Sequence, residues 1–147
     1  MTLTRADIRQ LDALATLFDG YRQFYRQPSD LDAAHHFLKA RLEADESVIF
    51  VADLQDVDGL AGFTQLYPSF SSVRMRRVWV LNDLFVTNGA RRQGVGRALM
   101  EAAHAFAAST GAASVELATE RDNVTAQALY DDLGYERDEF WHYALTI

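Results

Sequence analysis

The chain has 147 residues, 49% of them hydrophobic and 24% charged, the size and composition of one globular domain rather than of a disordered, collagenous or coiled-coil protein. It has no cysteine, which excludes disulfide stapling, thiolate catalysis and Cys-ligated zinc, and fits a reducing compartment, so the cytoplasm is the expected location. Fourteen Lys and Arg against twenty-one Asp and Glu give a net charge of −7, which disfavours nonspecific binding to nucleic acid or to an anionic membrane.

The N-terminal residues 1–7 are polar where a signal peptide needs an apolar run, and no stretch approaches the ~18 apolar residues of a membrane span, so a soluble, unprocessed protein is expected. The charge is unevenly spread. Arg74, Arg76, Arg77, Arg91, Arg92 and Arg97 are opposed between them only by Asp83, so this stretch carries +5 and the remainder −12. One basic stripe on an acidic body reads either as a local anion site or as a solvated face.

In chain order, Leu3 opens a short strand, and Asp7 caps a helix with Ile8, Leu11, Leu14, Ala15 and Phe18 on its apolar side, running toward Tyr25. Gln27-Pro28 stops it. Ser29 to Asp32 resembles a capping box, and Ala33, Phe37, Leu38 and Leu42 give a second helical stripe. Residues 47–52 are an apolar run of strand type, and Asp58-Gly59 is a hairpin turn before a strand over 60–67. After a loop over 68–72, residues 75–86 read as a long central strand. Residues 94–109 repeat apolar side chains at helical spacing and end before Gly111. A strand over 114–119 follows, parallel to the last because a helix connects them. Asn123 or Asp122 caps a helix to Asp132, Gly134 ends it, and residues 140–147 form a final strand. The order β-α-α-β-β-β-α-β-α-β predicts a single-domain α/β sandwich over 1–147, with a mixed, mainly antiparallel central sheet flanked by helices. Trp79 and Trp141 are predicted core residues. His35, His36, His104 and His142 show no metal-ligand spacing, so no metal is expected.

The informative stretch runs from Leu81 to Arg97, a strand entering a glycine loop that opens a helix. Such a loop brings backbone close to a ligand, and the free N–H groups of the first helical turn favour an anion, a diphosphate above all. Gly89 and Gly94 have P-loop spacing, but Val95 stands where the lysine belongs, which excludes that ATPase motif. The dinucleotide fingerprint fails as well, because Leu99 occupies its third glycine position.

Read as Arg91-x-x-Gly94-x-Gly96, the loop resembles that of the GNAT superfamily of acyl-CoA-dependent N-acyltransferases. The segment Asn123-Val-Thr-Ala126-Gln-Ala-Leu129-Tyr130-Asp-Asp-Leu-Gly134-Tyr135 is similar to that family's second motif at the expected distance downstream. The resemblance spans nearly the whole chain. It implies that the backbone of Arg92, Gln93, Gly94, Val95, Gly96 and Arg97 holds the pyrophosphate of acetyl-CoA, with Arg91, Arg92 and Arg97 near its phosphates. Phe85 and Val86 would pair with the pantetheine arm in a slot between splayed parallel strands, Asn123 would bond to pantetheine, and Tyr130 would stand near the sulfur. From the residues alone, Asn123 reads equally as a helix cap and Tyr130 as a core aromatic.

An alkylamine with a pKa near ~10.4 is about one part in ~10³ neutral at pH 7, which adds roughly 4–5 kcal/mol to the barrier unless its proton is taken. When the thiolate leaves, Tyr130 can protonate it as general acid. Diamine acetyltransferases carry a Leu-Glu-Asp that resembles Leu81-Asn82-Asp83, and Asn82, in the glutamate's place, cannot act as a base. That departure counts against a polyamine acceptor and leaves Asp83, Glu120 or ordered water to take the proton. Tyr21, Phe24, Tyr25, Gln65, Tyr67 and Ser69 are candidate acceptor liners, since aromatic faces suit an alkylammonium stem, with Asn82 and Glu120 beside them. The expected activity is acetyl transfer to a primary amine of a small molecule in a ternary complex, by a chain that can act as a homodimer. A protein lysine or N-terminal acetyltransferase and a non-catalytic CoA-binding module are the alternatives.

Overall fold

The computed structural model describes all 147 residues. The chain divides into two compact units, Met1–Leu117 and Ala118–Ile147.

The first unit holds a five-stranded sheet in the order β1-β2-β3-β4-β5. Its strands are β1 (Thr2–Arg5), β2 (Val48–Asp53), β3 (Leu60–Ser71), β4 (Arg76–Val86) and β5 (Val115–Glu116). All neighbours are antiparallel except β4 and β5, the mixed, mainly antiparallel sheet that the element order predicts. No helix is long and apolar enough to cross a membrane.

Helices α1 (Leu11–Phe24) and α2 (Leu31–Glu43) cover one face. Asp7 and Gln10 form a reciprocal capping box around a 3-10 turn, Ile8–Gln10, that runs into α1. Asp30, not Ser29, caps α2 by accepting from the Ala33 N–H. Ser29 is engaged elsewhere, donating its hydroxyl to the buried Asp19 of α1 at 2.6 Å, while the Asp30 N–H donates to the other Asp19 oxygen. These bonds tie the two helices together and hold the Asp19 carboxyl below the usual carboxylate range. The buried side of α2 is Ala34 and Leu38, with Ala33 exposed and Phe37 at the margin. Leu14, Phe18, Ala34 and Leu38 pack on Ile49, Val51 and Phe63, each fully buried large side chain stabilising by roughly 1.5–3 kcal/mol.

Helix α3 (Val95–Ser109) covers the other face, with Val95 and Leu99 against Ala52 and Ala61. Trp79 lies in this layer, as predicted, its ring 5.1 Å from Phe106 and its indole N–H on the Thr110 hydroxyl.

Three expectations are corrected. The predicted loop over 68–72 is largely strand, with Pro68 opposite Trp79. β2 ends opposite Leu66, so from Tyr67 onward β3 has one neighbour, and a proline is tolerated on such an edge. The strand expected over 114–119 is only Val115–Glu116. The second unit contains α4 (Val124–Asp132), but residues 140–147 form no strand, and Trp141 is 80% exposed. Their alternating apolar pattern signals a strand without supplying a partner edge.

Candidate active site

Between β4 and α3 the backbone makes a short 3-10 turn (Asn88–Ala90), then passes through left-handed conformations at Arg92 (φ 62°) and Gly94 (φ 77°). Successive N–H groups around such residues form anion-binding concavities. Gly94 caps α3 without a side chain, and the first intrahelical bond is the one from the Ala98 N–H to Gly94. The N–H groups of Val95 and Gly96 lie ahead of that bond at the helix start, and the first turn of α3 carries no acidic side chain. A Cβ at Gly94 would meet no atom within 4 Å, leaving room for a ligand. This geometry fits a diphosphate. Around it, Arg91 donates to the Val86 carbonyl at 3.1 Å and lies over the Phe24 ring, Gln93 bonds the Gly89 carbonyl, and Arg97 sits near Glu101.

The single basic stripe resolves into two groups at opposite ends of β4. Arg91, Arg92 and Arg97 are at the loop. Arg74 instead bonds Ser114 and Glu116, Arg76 donates to the carbonyls of Gly111 and Ala112, and Arg77 stacks on Phe70.

β4 pairs with β5 only at Trp79–Val115 and Val80–Glu116. From Leu81 to Val86 that edge of β4 has no strand beside it, an open ladder of the kind an extended ligand can join. On the α1 side, a cleft of about 820 Å³ is lined by Leu17, Gly20, Phe24, Phe85, Thr87 and Arg91, among others. Among the predicted acceptor liners only Phe24 borders it. Gly20 of α1 faces the Phe85 ring, and a Cβ there would meet it at 3.7 Å, an ordinary contact with room for alanine.

Gln65 faces Asp83 and Leu66 faces Leu81, so Asn82 is an extra residue in β4, a β-bulge. Simple strand alternation puts Leu81, Asp83 and Phe85 on one face and Val80, Asn82, Leu84 and Val86 on the other, and the bulge reverses that pattern across Asn82. Asp83 and Phe85 face α1 and α2, but Leu81 falls on the α3 side with Leu66, and Val80 on the α1 side with Tyr67. Asn82 itself is exposed.

Asp83 is 4% exposed, and its carboxylate accepts from Gln65 Nε2 at 2.6 Å and from Asn82 Nδ2 at 3.1 Å. The Tyr21 phenol lies close enough to feel the Asp83 charge. Burial, and then the Asp83 charge, push the Tyr21 phenol far up and the Tyr67 phenol to about 12, so both are neutral O–H donors at physiological pH. Gln65 is fully buried and its Oε1 has no partner, an acceptor left open beside the carboxylate. Tyr21 contacts Tyr25 at 5.1 Å and Phe85 at 6.0 Å. Thus Tyr21, Gln65, Tyr67, Asn82 and Asp83 come together as one anionic, aromatic cluster, with Tyr25 at its side.

In the second unit, Asn123 caps α4 by accepting from the Ala126 N–H at 3.2 Å. Tyr130 is half-buried with its ring 5.9 Å from that of Tyr135. The Glu120 side chain is exposed, and its backbone carbonyl accepts from Gln127.

Residues 11–135 match the acetyltransferase (GNAT) family. The chain belongs to that family. It is an acyl-CoA-dependent N-acetyltransferase. It is 49% identical over 148 residues to the uncharacterized N-acetyltransferase YhfO of Bacillus subtilis, covering 100% of this chain and 98% of the relative. The D-amino-acid N-acetyltransferase HPA3 of Saccharomyces cerevisiae is 36% identical over 78 residues, 53% of this chain and 48% of that protein. A crystal structure described as a probable acetyltransferase superposes with a TM-score of 0.94 at 43% identity, covering 100% of this chain and 98% of that one.

Proposed function

We propose that this acetyltransferase, acting as one N-acetyltransferase domain over 1–147 in the cytoplasm, moves an acetyl group from acetyl-CoA to a primary amine of a small molecule, by direct attack within a ternary complex. The observation that carries this reading is the buried Asp83 carboxylate, fixed by Gln65 and ringed by Tyr21 and Tyr67, on the strand whose open edge runs into the glycine loop. A small cation satisfies both the charge and the open Gln65 oxygen, and the tyrosine rings suit its stem. The yeast relative named above is described as a D-amino-acid N-acetyltransferase, and D-amino acids are small amines of this class.

In this reading the loop backbone from Arg92 to Arg97 and the Arg91 side chain hold the diphosphate, the Phe85–Val86 edge aligns the pantetheine arm, and Asn123 bonds to that arm. Asp83 draws the ammonium and accepts its proton, directly or through Tyr21 and ordered water. The freed nitrogen lone pair bonds to the thioester carbonyl carbon, and the carbon–sulfur bond then breaks. Tyr130 delivers its phenolic proton to the departing thiolate. Glu120 contributes to the acceptor side.

The test is thiol release from acetyl-CoA by purified protein with diamines, amino acids of both hands, aminoglycosides and lysine peptides. Release with a small amine is expected. Release only with peptides supports a protein acetyltransferase, and release with none supports a CoA-binding module.

A further inference from the structure

Gln65 lies within β3 with no exposed surface, and the two ends of its amide are used unequally. Nε2 donates to Asp83 Oδ2 at 2.6 Å, while Oε1 is buried without a partner. An empty buried acceptor is destabilising, and a methionine would fill a similar volume without it, so packing alone does not account for an amide here.

Asp83 presents the complementary problem. Both of its oxygens already accept, Oδ2 from Gln65 and Oδ1 from Asn82 Nδ2 at 3.1 Å, an arrangement that suits a carboxylate. A carboxylic acid has an O–H of its own to place. With an amide N–H aimed at each oxygen, that O–H meets a donor on either side. The titratable and charged side chains that act on this cluster are Tyr21 and Tyr25 from α1, Arg41 from α2 and Tyr67 from β3. Arg41 can only donate, and the phenols of Tyr21 and Tyr67, held protonated by burial, are weaker acceptors than an amide carbonyl. Asn82 is exposed, so water competes for its amide. Gln65 Oε1 has no such competitor.

Geometry allows the exchange. The terminal torsion of glutamine is broad and roughly two-fold, so half a turn swaps Oε1 for Nε2 without repacking. The 2.6 Å spacing is short for N–H···O and falls within the range of O–H···O; the swap needs no change of distance.

We propose that Gln65 is a positioning residue whose amide turns over with the protonation of Asp83, donating through Nε2 to the carboxylate and accepting through Oε1 from the acid. The proton leaves the acceptor ammonium, an O–H bond forms on Asp83 Oδ2, and the amide rotates so that Oε1 receives that O–H; no other bond is made or broken. The catalytic use of this turn rests on Asp83 being the base in the function proposed above. The rotation itself requires only that Asp83 take a proton.

Nuclear magnetic resonance of isotope-labelled protein reads the rotation, with the Gln65 amide assigned by its absence from Gln65→Met. While Asp83 is ionised, one of the two Gln65 amide protons should stand well downfield. As pH is lowered and Asp83 is protonated, that signal should return among the ordinary glutamine amides. A downfield proton that persists to the lowest pH at which the protein stays folded overturns the rotation. Kinetics read its use. Gln65→Met should keep its fold and acetyl-CoA affinity, while kcat falls roughly 10–10²-fold. The acid limb of kcat/KM should move to higher pH, because the ionised form loses a charge-assisted bond and the acid only a neutral one. A Gln65→Met protein with lowered Tm but unchanged kcat and pH profile makes Gln65 merely structural and overturns the positioning role. If Asp83→Asn keeps normal turnover, the reading of Asp83 as base fails, and the amide signal still decides the rotation.

Discussion

Gly62 lies opposite Val86 at the end of β4, and an alanine there is a sharp test of how that strand end is built. The added Cβ would lie 2.7 Å from the Phe85 carbonyl oxygen, 3.2 Å from Leu99 Cδ1 and 3.3 Å from Val86 Cγ2. The first contact is with backbone and cannot be relieved by a rotamer change, so β4 must move by several tenths of an ångström. Such overpacking costs about 1–3 kcal/mol, offset by ~0.4–1 kcal/mol because alanine restricts the unfolded chain. A net loss of roughly 1–2 kcal/mol corresponds to a fall in Tm of about 2–8 °C for a chain of this size. The same displacement moves Phe85 and Val86, which the proposed mechanism pairs with the donor, so acetyl-CoA affinity should fall several-fold. Gly89→Ala is the control: its Cβ would meet nothing within 4 Å and its φ is not positive, so Tm should change little. Thermal melts and acetyl-CoA titration calorimetry read both effects. A Gly62→Ala protein with wild-type Tm and wild-type affinity would refute the reasoning.

Gly96→Val places a branched side chain where the backbone is proposed to approach the diphosphate, and acetyl-CoA should no longer raise Tm; undiminished stabilisation would remove the cradle. Asp83→Asn keeps an oxygen for the Gln65 amide to bond, so folding and acetyl-CoA binding should persist while kcat/KM for the amine falls roughly 10²–10⁴-fold, the range for an acid–base group; steady-state kinetics with the amine found in the panel checks it. Burial lowers the pKa of His104, opposed in part by Glu101. The unfolded chain therefore binds more protons just below the ordinary histidine value, and stability should fall as pH drops through about 6.5; melts from pH 7.5 to 5.5 should show a smaller loss for His104→Gln than for wild type.

Much of this architecture was legible because local chemistry and the tertiary outcome agree. Asp7 caps, Leu14 and Phe18 face the sheet, and Gly94 takes the left-handed turn that starts α3. The glycine loop was readable for the same reason, since its function lies in the backbone. What escaped depends on register between strands. Nothing local at Asn82 marks a bulge, yet that one extra residue moves Leu81 to the α3 side and sets Asp83 opposite Gln65. Gln65 and Asp83 were each readable as candidates, but their 2.6 Å bond arises from pairing residues eighteen apart in sequence. The tail misled for a different reason: alternation reports that a strand face must be covered, not what covers it, and so Trp141 looked like core.

The most direct test of the mechanism is turnover by Tyr130→Phe measured beside its Tm and acetyl-CoA affinity. Only a hydroxyl is lost from a half-buried ring, so fold and affinity should stay near wild type. Without a proton for the departing thiolate, kcat should fall roughly 10²–10⁴-fold, about 3–5 kcal/mol of barrier. The deficit should shrink with an acyl donor whose leaving group needs no protonation. A folded Tyr130→Phe enzyme with near-normal kcat would contradict the mechanism.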